Sequence, residues 1–386
     1  MTNWKDRLNK SAVGLEDKWD ELRFNFNKKL GLNDPVQIVP FRTYGTARRV
    51  YIKGRVLENK KIASAGEKDT VWNNILNMYK RFESDEVPHA RLRVQLAGEE
   101  HEVTTDAEGY FVLDLNPLTP IINEQLWHPI PLQLVSAPIP FEQGLRINAE
   151  VMIPPPDAEY GIISDIDDTI VKTTATNFLA MGRTTFLNNA RTRLPFAGVA
   201  EFYKALQLGK NGKRNNPFFY VSSSPWNLYD LLKDFLDLNQ IPAGPLLLRD
   251  FGLTHKPADA NGHMGHKLKE IKQILEAYPH LNFVLIGDSG QEDPVIYQEV
   301  VKLFPGRILA IYIRDVQLPE REKIAIEVSA ALKEHKIEMI IVDNTVEAAE
   351  HAAKNGLIYI EAIPAIEEER KEDKGEKPGK EEVTIT

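Results

Sequence analysis

The residue types best suited to chemistry stand in the second half of the chain, where Gly161-Ile162-Ile163-Ser164 runs into Asp165-Ile166-Asp167-Asp168-Thr169. In an extended segment residues i and i+2 project to the same side, so Asp165 and Asp167 face one substrate. A carboxylate nucleophile can attack phosphorus and divide a difficult hydrolysis into two displacements. A second carboxyl group beside it can protonate the leaving oxygen and later deprotonate the attacking water. Bringing a carboxylate to a phosphate is repulsive unless cations offset it. Asp288 and Asp293, in Gly287-Asp288-Ser289-Gly290-Gln291-Glu292-Asp293, supply hard oxygen donors that suit octahedral magnesium better than zinc. Lys267 supplies a fixed positive charge. Ser222 offers a hydroxyl donor, with Ser223 and Ser224 leaving that register open by one residue.

These residues must be held by something, and the surrounding pattern says what. Short apolar runs at 160 to 164, 217 to 221, 245 to 248, 283 to 286, 308 to 313 and 338 to 342 have the length of buried strands. Helical patterns fall between them at roughly 196 to 207, 226 to 238, 266 to 277, 319 to 335 and 345 to 354, with Gly356 a natural stop. This alternation predicts an α/β domain over residues 154–363, a doubly wound parallel sheet with helices on both faces. Ligands of such sheets gather outside the carboxyl ends of the strands, where Asp165, Ser222 and Asp288 fall.

Upstream the pattern changes. Val36 to Val39, Arg49 to Val56, Ala90 to Leu96 and Arg146 to Val151 alternate or are β-branched, and the turn at 104–109 places Gly109 where a hairpin demands positive φ. An all-β sandwich is expected over 35–153, with Pro154-Pro155-Pro156 a stiff exit. Within 1–34, Trp4, Leu8, Ala12, Leu15, Trp19, Leu22, Phe26 and Leu30 form one helical stripe, read as a docked amphipathic helix, with membrane-surface binding the alternative. The charged stretch at 364–386 is expected to be disordered and carries no chemistry.

Composition narrows the classes. A formal net charge of -9 gives no global case for nucleic acid as a partner. The absence of cysteine excludes disulfides, thiolate zinc sites and cysteine nucleophiles. The amino terminus lacks the apolar core of a leader, and no apolar run reaches bilayer length, so a cytoplasmic location is expected, with peripheral contact at a membrane. Phe178 to Met181 and Phe186-Leu187 read as helix core, with acyl-chain contact the alternative. His255, His263 and His266 lack the ligand spacing of a transition-metal site.

Asp165-x-Asp167-x-Thr169, Ser222, Lys267 and Gly287-Asp288 resemble the four motifs of the haloacid dehalogenase superfamily of phosphohydrolases. More narrowly, Tyr220-Val221-Ser222-Ser223-Ser224-Pro225-Trp226-Asn227 with Ile286-Gly287-Asp288-Ser289-Gly290-Gln291-Glu292-Asp293-Pro294 looks like the actin-patch-associated phosphatidate phosphatases, a family related to the lipins and known in bacteria. The resemblance, over roughly residues 155 to 360, implies a Rossmann-like fold and magnesium-dependent hydrolysis of phosphatidate through an aspartyl-phosphate. By motif position Asp165 would be the nucleophile and Asp167 the acid and base, with Ser222 and Lys267 completing the catalytic set. Asp165, Asp167, Asp288 and Asp293 would surround the metal. The chain lacks the proline-rich partner-docking tail of the eukaryotic members, so partnership with actin-patch proteins does not carry over. Two other readings stand beside this one: the same machinery on another phosphomonoester, and a noncatalytic phosphatidate-binding module. An acid and base at Asp167 speaks against binding alone.

Overall fold

A computed structural model of the chain describes residues 36–58, 86–121, 124–166, 197–213, 215–249, 262–316 and 318–374. The expected helix within 1–34, the segment carrying Phe178 to Leu187, and His255 lie outside them. Fourteen strands are described, in two sheets.

The first sheet contains β1 (Val36–Pro40), β2 (Thr43–Thr46), β3 (Arg49–Glu58), β4 (Arg91–Leu96), β5 (Glu99–Thr104), β6 (Tyr110–Leu115), β7 (Trp127–Ser136) and β8 (Arg146–Met152). Its order is β1-β3-β2-β8-β7-β4-β5, with β6 paired to β3. The expected β-rich region is therefore one mixed sheet, because β2 and β8 pair parallel while β1 and β3, and β4 and β5, pair antiparallel. The turn before β6 follows the expected chemistry: Gly109 has φ +74°, and Asp106 Oδ1 accepts from the amides of Glu108 and Tyr110 at 3.0 and 2.8 Å.

The second sheet is wholly parallel: β9 (Gly161–Asp165), β10 (Phe218–Pro225), β11 (Leu246–Arg249), β12 (Phe283–Asp288), β13 (Ile308–Arg314) and β14 (Met339–Val342). Its order, β11-β10-β9-β12-β13-β14, is that of a doubly wound sheet, and the winding reverses between β9 and β12. The helices are α1 (Val199–Leu208), α2 (Tyr229–Leu238), α3 (Gly262–Ala277), α4 (Asp293–Leu303), α5 (Pro319–Leu332), α6 (Thr345–Lys354) and α7 (Ile363–Asp373).

Successive strand residues serve opposite faces of this sheet. Ile163, Phe219, Leu285 and Ile311 join Ile271, Ile274, Val300 and Val328 from α3, α4 and α5 in one core. On the other face Phe218 stacks on Tyr203 of α1, and Tyr312 meets Phe202 of α1 edge-on and His351 of α6. Strands buried on both faces explain why their sequences read as continuous apolar runs.

Part of the charged end departs from expectation. Residues 363–373 form α7 rather than a disordered tail, because Ile366 is fully buried and two acids of the helix serve α1. Asp373 accepts from the Gly198 amide at 2.9 Å and Glu369 from the Glu201 amide at 2.8 Å, satisfying donors that α1 leaves open at its amino terminus.

The chain divides into two compact units. One comprises Met1–Pro40, Lys53–Leu113 and Ile130–Asn148. The other comprises Phe41–Ile52, Asp114–Pro129 and Ala149–Thr386, so the parallel sheet shares its unit with two segments from far upstream. Within that unit Tyr44 meets Phe219 edge-on, and the Tyr278 hydroxyl donates to the Gly45 carbonyl at 2.8 Å.

Candidate active site

The winding reverses between β9 and β12, the place where doubly wound sheets take their ligands, and each of those strands ends in an aspartate. Asp165 and Asp288 are both buried. Asp293, the first residue of α4, turns back beneath Asp288: its Oδ2 accepts the Asp288 amide at 3.2 Å. Gly287 makes that return possible, since a Cβ there would lie 2.5 Å from Asp293 Oδ2 and 2.8 Å from its Cβ. Asp288 Oδ1 accepts from the amides of Gly290 and Gln291 at 2.6 and 3.0 Å, so its own loop fixes the carboxylate.

Lys267, on α3, reaches into the cluster with only 4% of its side chain exposed. Its Nζ lies 2.9 Å from Asp165 Oδ1 and 2.7 Å from Asp293 Oδ1, and donates to Gln291 Oε1 at 3.3 Å. Burial by itself would favour a neutral amine, but Asp165 and Asp293 outweigh it and hold the ammonium well above its ordinary pKa. The group is a permanent positive charge over any working pH.

Around this centre the scaffold is satisfied by hydroxyls. Ser164 Oγ donates to the Asp165 carbonyl at 2.7 Å and shares a hydrogen bond with the Tyr203 hydroxyl at 2.8 Å. Tyr297 donates to the Ile286 carbonyl at 2.7 Å; burial first, and the carboxylates of Asp293, Asp165 and Asp288 second, keep its phenol neutral. Ser289 Oγ donates to Asp315 Oδ1 at 3.1 Å, tying the loop after β12 to the loop after β13.

Asp165, Asp288 and Asp293 offer oxygens within 4.8 Å of one another. Three carboxylate oxygens that close together could hold one metal ion between them. Charge favours this as well: among the described residues Lys267 is the cation that meets these three buried carboxylates, so a divalent ion would offset the negative charge left over. An all-oxygen donor set fits a hard ion.

Of the residues singled out in the sequence, the structure gathers Asp165, Lys267, Asp288 and Asp293 into one cluster. Ser222 is buried within β10, one residue past the Val221↔Asp165 register. Its hydroxyl accepts the Ser224 amide at 2.9 Å. Asp167 and Thr169 lie outside the described residues. Sequence reasoning gave Gln291 no role, although it stood inside a quoted motif; its approach to Lys267 depends on how the loop after β12 folds back. His266, beside Lys267, is half-buried with its pKa lowered chiefly by burial, and lies 4.0 Å from Glu270.

The fold and cluster define an α/β protein with a buried acidic site at the winding reversal. Residues 160–315 match the family described as the catalytic domain of phosphatidate phosphatase APP1. Among curated proteins, phosphatidate phosphatase APP1 of Saccharomyces cerevisiae is 36% identical over 155 residues, covering 40% of this chain and 25% of that protein. An uncharacterized protein of Schizosaccharomyces pombe is 31% identical over 227 residues, 56% of this chain and 35% of that one. The chain thus spans about a quarter to a third of the length of these relatives. A solved carbohydrate acetylesterase of Xanthomonas citri aligns over 75% of this chain and 72% of its own at 11% identity, with a TM-score of 0.27, too low to carry an argument.

Proposed function

We propose that the chain is a magnesium-dependent phosphatidate phosphatase that releases diacylglycerol and inorganic phosphate through an aspartyl-phosphate on Asp165. The observation that carries this reading is the buried meeting of Asp165, Lys267, Asp288 and Asp293 at the winding reversal, inside the segment that matches a phosphatidate phosphatase catalytic domain. The same reading makes residues 154–363 a Rossmann-like haloacid dehalogenase domain, preceded by the β-rich region of residues 35–153.

In this mechanism a carboxylate oxygen of Asp165 attacks phosphorus, and the bond from phosphorus to the diacylglycerol oxygen breaks. Asp167 gives that oxygen its proton. Water then attacks the phosphorus of the acyl phosphate, Asp167 takes the water's proton, and Asp165 is released with phosphate. Lys267 holds the Asp165 carboxylate in place and offsets the charge brought in by the phosphate. The hydroxyl of Ser222 or Ser223 donates to a phosphoryl oxygen. A divalent ion held by Asp165, Asp288 and Asp293, with Asp167 completing the set, would supply Lewis-acid charge to the phosphoryl group. Among the described residues no helix is long and apolar enough to cross a membrane. In this reading the protein is cytoplasmic and meets its lipid by peripheral contact.

The test is phosphate release from phosphatidate in mixed micelles and from a soluble aryl phosphate, with magnesium or chelator, for wild type, Asp165→Asn and Asp167→Asn. Metal-dependent release that prefers the lipid and falls at least about 10³-fold in both variants is expected. Release from the soluble ester alone would remove the lipid and keep the mechanism. Phosphatidate binding with no release from either would leave a binding module.

A further inference from the structure

The strand that carries the serines is not held by its ladder where they stand. β10 pairs with β11 at Val221↔Leu247 and next at Pro225↔Arg249, so four steps along β10 answer two along β11. Ser222, Ser223 and Ser224 bulge out of the sheet. Among the described residues the Ser223 hydroxyl is shut off from solvent and makes no hydrogen bond. A bulge is fixed by its two anchors, and the upstream one is Val221 in the β9 register.

The downstream anchor comes from a distant part of the chain. Phe41 is buried and stacks on Trp226, centroids 5.0 Å apart and planes 16° apart, and lies 4.3 Å from the ring of Tyr229. The Arg42 amide donates to the Tyr229 hydroxyl at 2.5 Å, in the first turn of α2. Its guanidinium forks onto both oxygens of Asp237, at 2.7 and 3.1 Å, in the last turn. Glu150 takes the remaining edge at 3.3 Å. Residues 41 and 42 thus grip both ends of α2 and the turn that opens it, directly after the bulge.

We propose that Phe41 and Arg42, outside the matched segment 160–315, are positioning residues that set the serine bulge for phosphoryl recognition; this rests on the phosphatase reading for its ligand. Losing the clamp loosens a contact made to bound and reacting phosphate alike, which raises KM more than it lowers kcat.

The experiment compares full-length Phe41→Ala, Arg42→Met and Arg42→Lys with Arg307→Met. The last removes bonds to the carbonyls of Leu275, Tyr278 and Leu281 and is remote in sequence from the bulge. Amide hydrogen exchange over 222–228 is read together with kinetics on a soluble aryl phosphate. Phe41→Ala and Arg42→Met are expected to speed exchange across 222–228 and raise KM about tenfold with kcat within about twofold. Arg42→Lys, keeping one ion pair, should recover part of both. Arg307→Met should lower the melting temperature without either change. Unchanged exchange and KM in the clamp variants, or the same rise in KM with Arg307→Met, would overturn the proposal. If wild type hydrolyses no phosphate ester, the phosphatase reading falls, and exchange at 222–228 still decides whether the clamp holds the bulge.

Discussion

An ammonium has three N–H bonds, and those of Lys267 meet Asp165, Asp293 and Gln291. The first two partners are carboxylates at under 3 Å and the third a neutral amide at 3.3 Å, so an arriving phosphoryl oxygen displaces Gln291 first. Gln291→Leu should therefore tighten inorganic phosphate roughly threefold by calorimetry; weaker binding would mean that the amide itself touches phosphate. Gly287→Ala should cost about 1–3 kcal/mol in chemical denaturation, because the new methyl meets an Asp293 that Lys267 and the Asp288 amide hold in place. The helix that carries Lys267 starts one turn ahead of it, at Gly262 rather than at 266. Asp165 and Asp288 were legible in the sequence because each ends an apolar strand, Asp293 because it opens the helix after one, and Lys267 because it lies early in the helix before β12. The third partner of Lys267 was not, since the fold of a loop rather than any period sets it.

Among the elements, α2 offers a pH test. Burial alone would raise the pKa of Asp237, but hydrogen bonds from Arg42 and Lys233 outweigh it and hold the carboxyl below its ordinary value. A depressed folded pKa stabilises above the unfolded value, near about pH 4, and that contribution disappears as pH falls through the folded value. Thermal melts of wild type and Asp237→Asn should differ at neutral pH and converge as pH falls through the folded value. The six parallel strands and five of the helices could be read from apolar runs and 3.6-residue spacing. α7 could not, because its composition is that of a solvated tail. Only the buried Ile366 and the two acids that serve α1 give it a place, and neither is a local property. β5 is likewise hidden: Glu99-Glu100-His101-Glu102 lies at the end of the first sheet, where one edge needs no partner and charge discourages a second chain.

For the molecule as a whole, a cation that binds the folded cluster and not the unfolded chain must raise stability. Magnesium at 100 times its dissociation constant should contribute about 2.7 kcal/mol, read as a higher melting temperature. The shift should vanish in Asp288→Asn, and an unchanged wild-type melt would argue against the ion without reference to turnover. The division of the chain has a consequence in time. Arg42 and Tyr229 are 187 residues apart, and Gly45 and Tyr278 are 233 apart. During synthesis at about 5–20 residues per second, the segment beginning at Phe41 waits on the order of 10–50 s for its partners to emerge. A ribosome that pauses beyond Glu58 lengthens the interval before Trp226 and Phe219 emerge to pack on Phe41 and Tyr44. Chaperone demand should then be set by this early segment, well before Asp165 is translated.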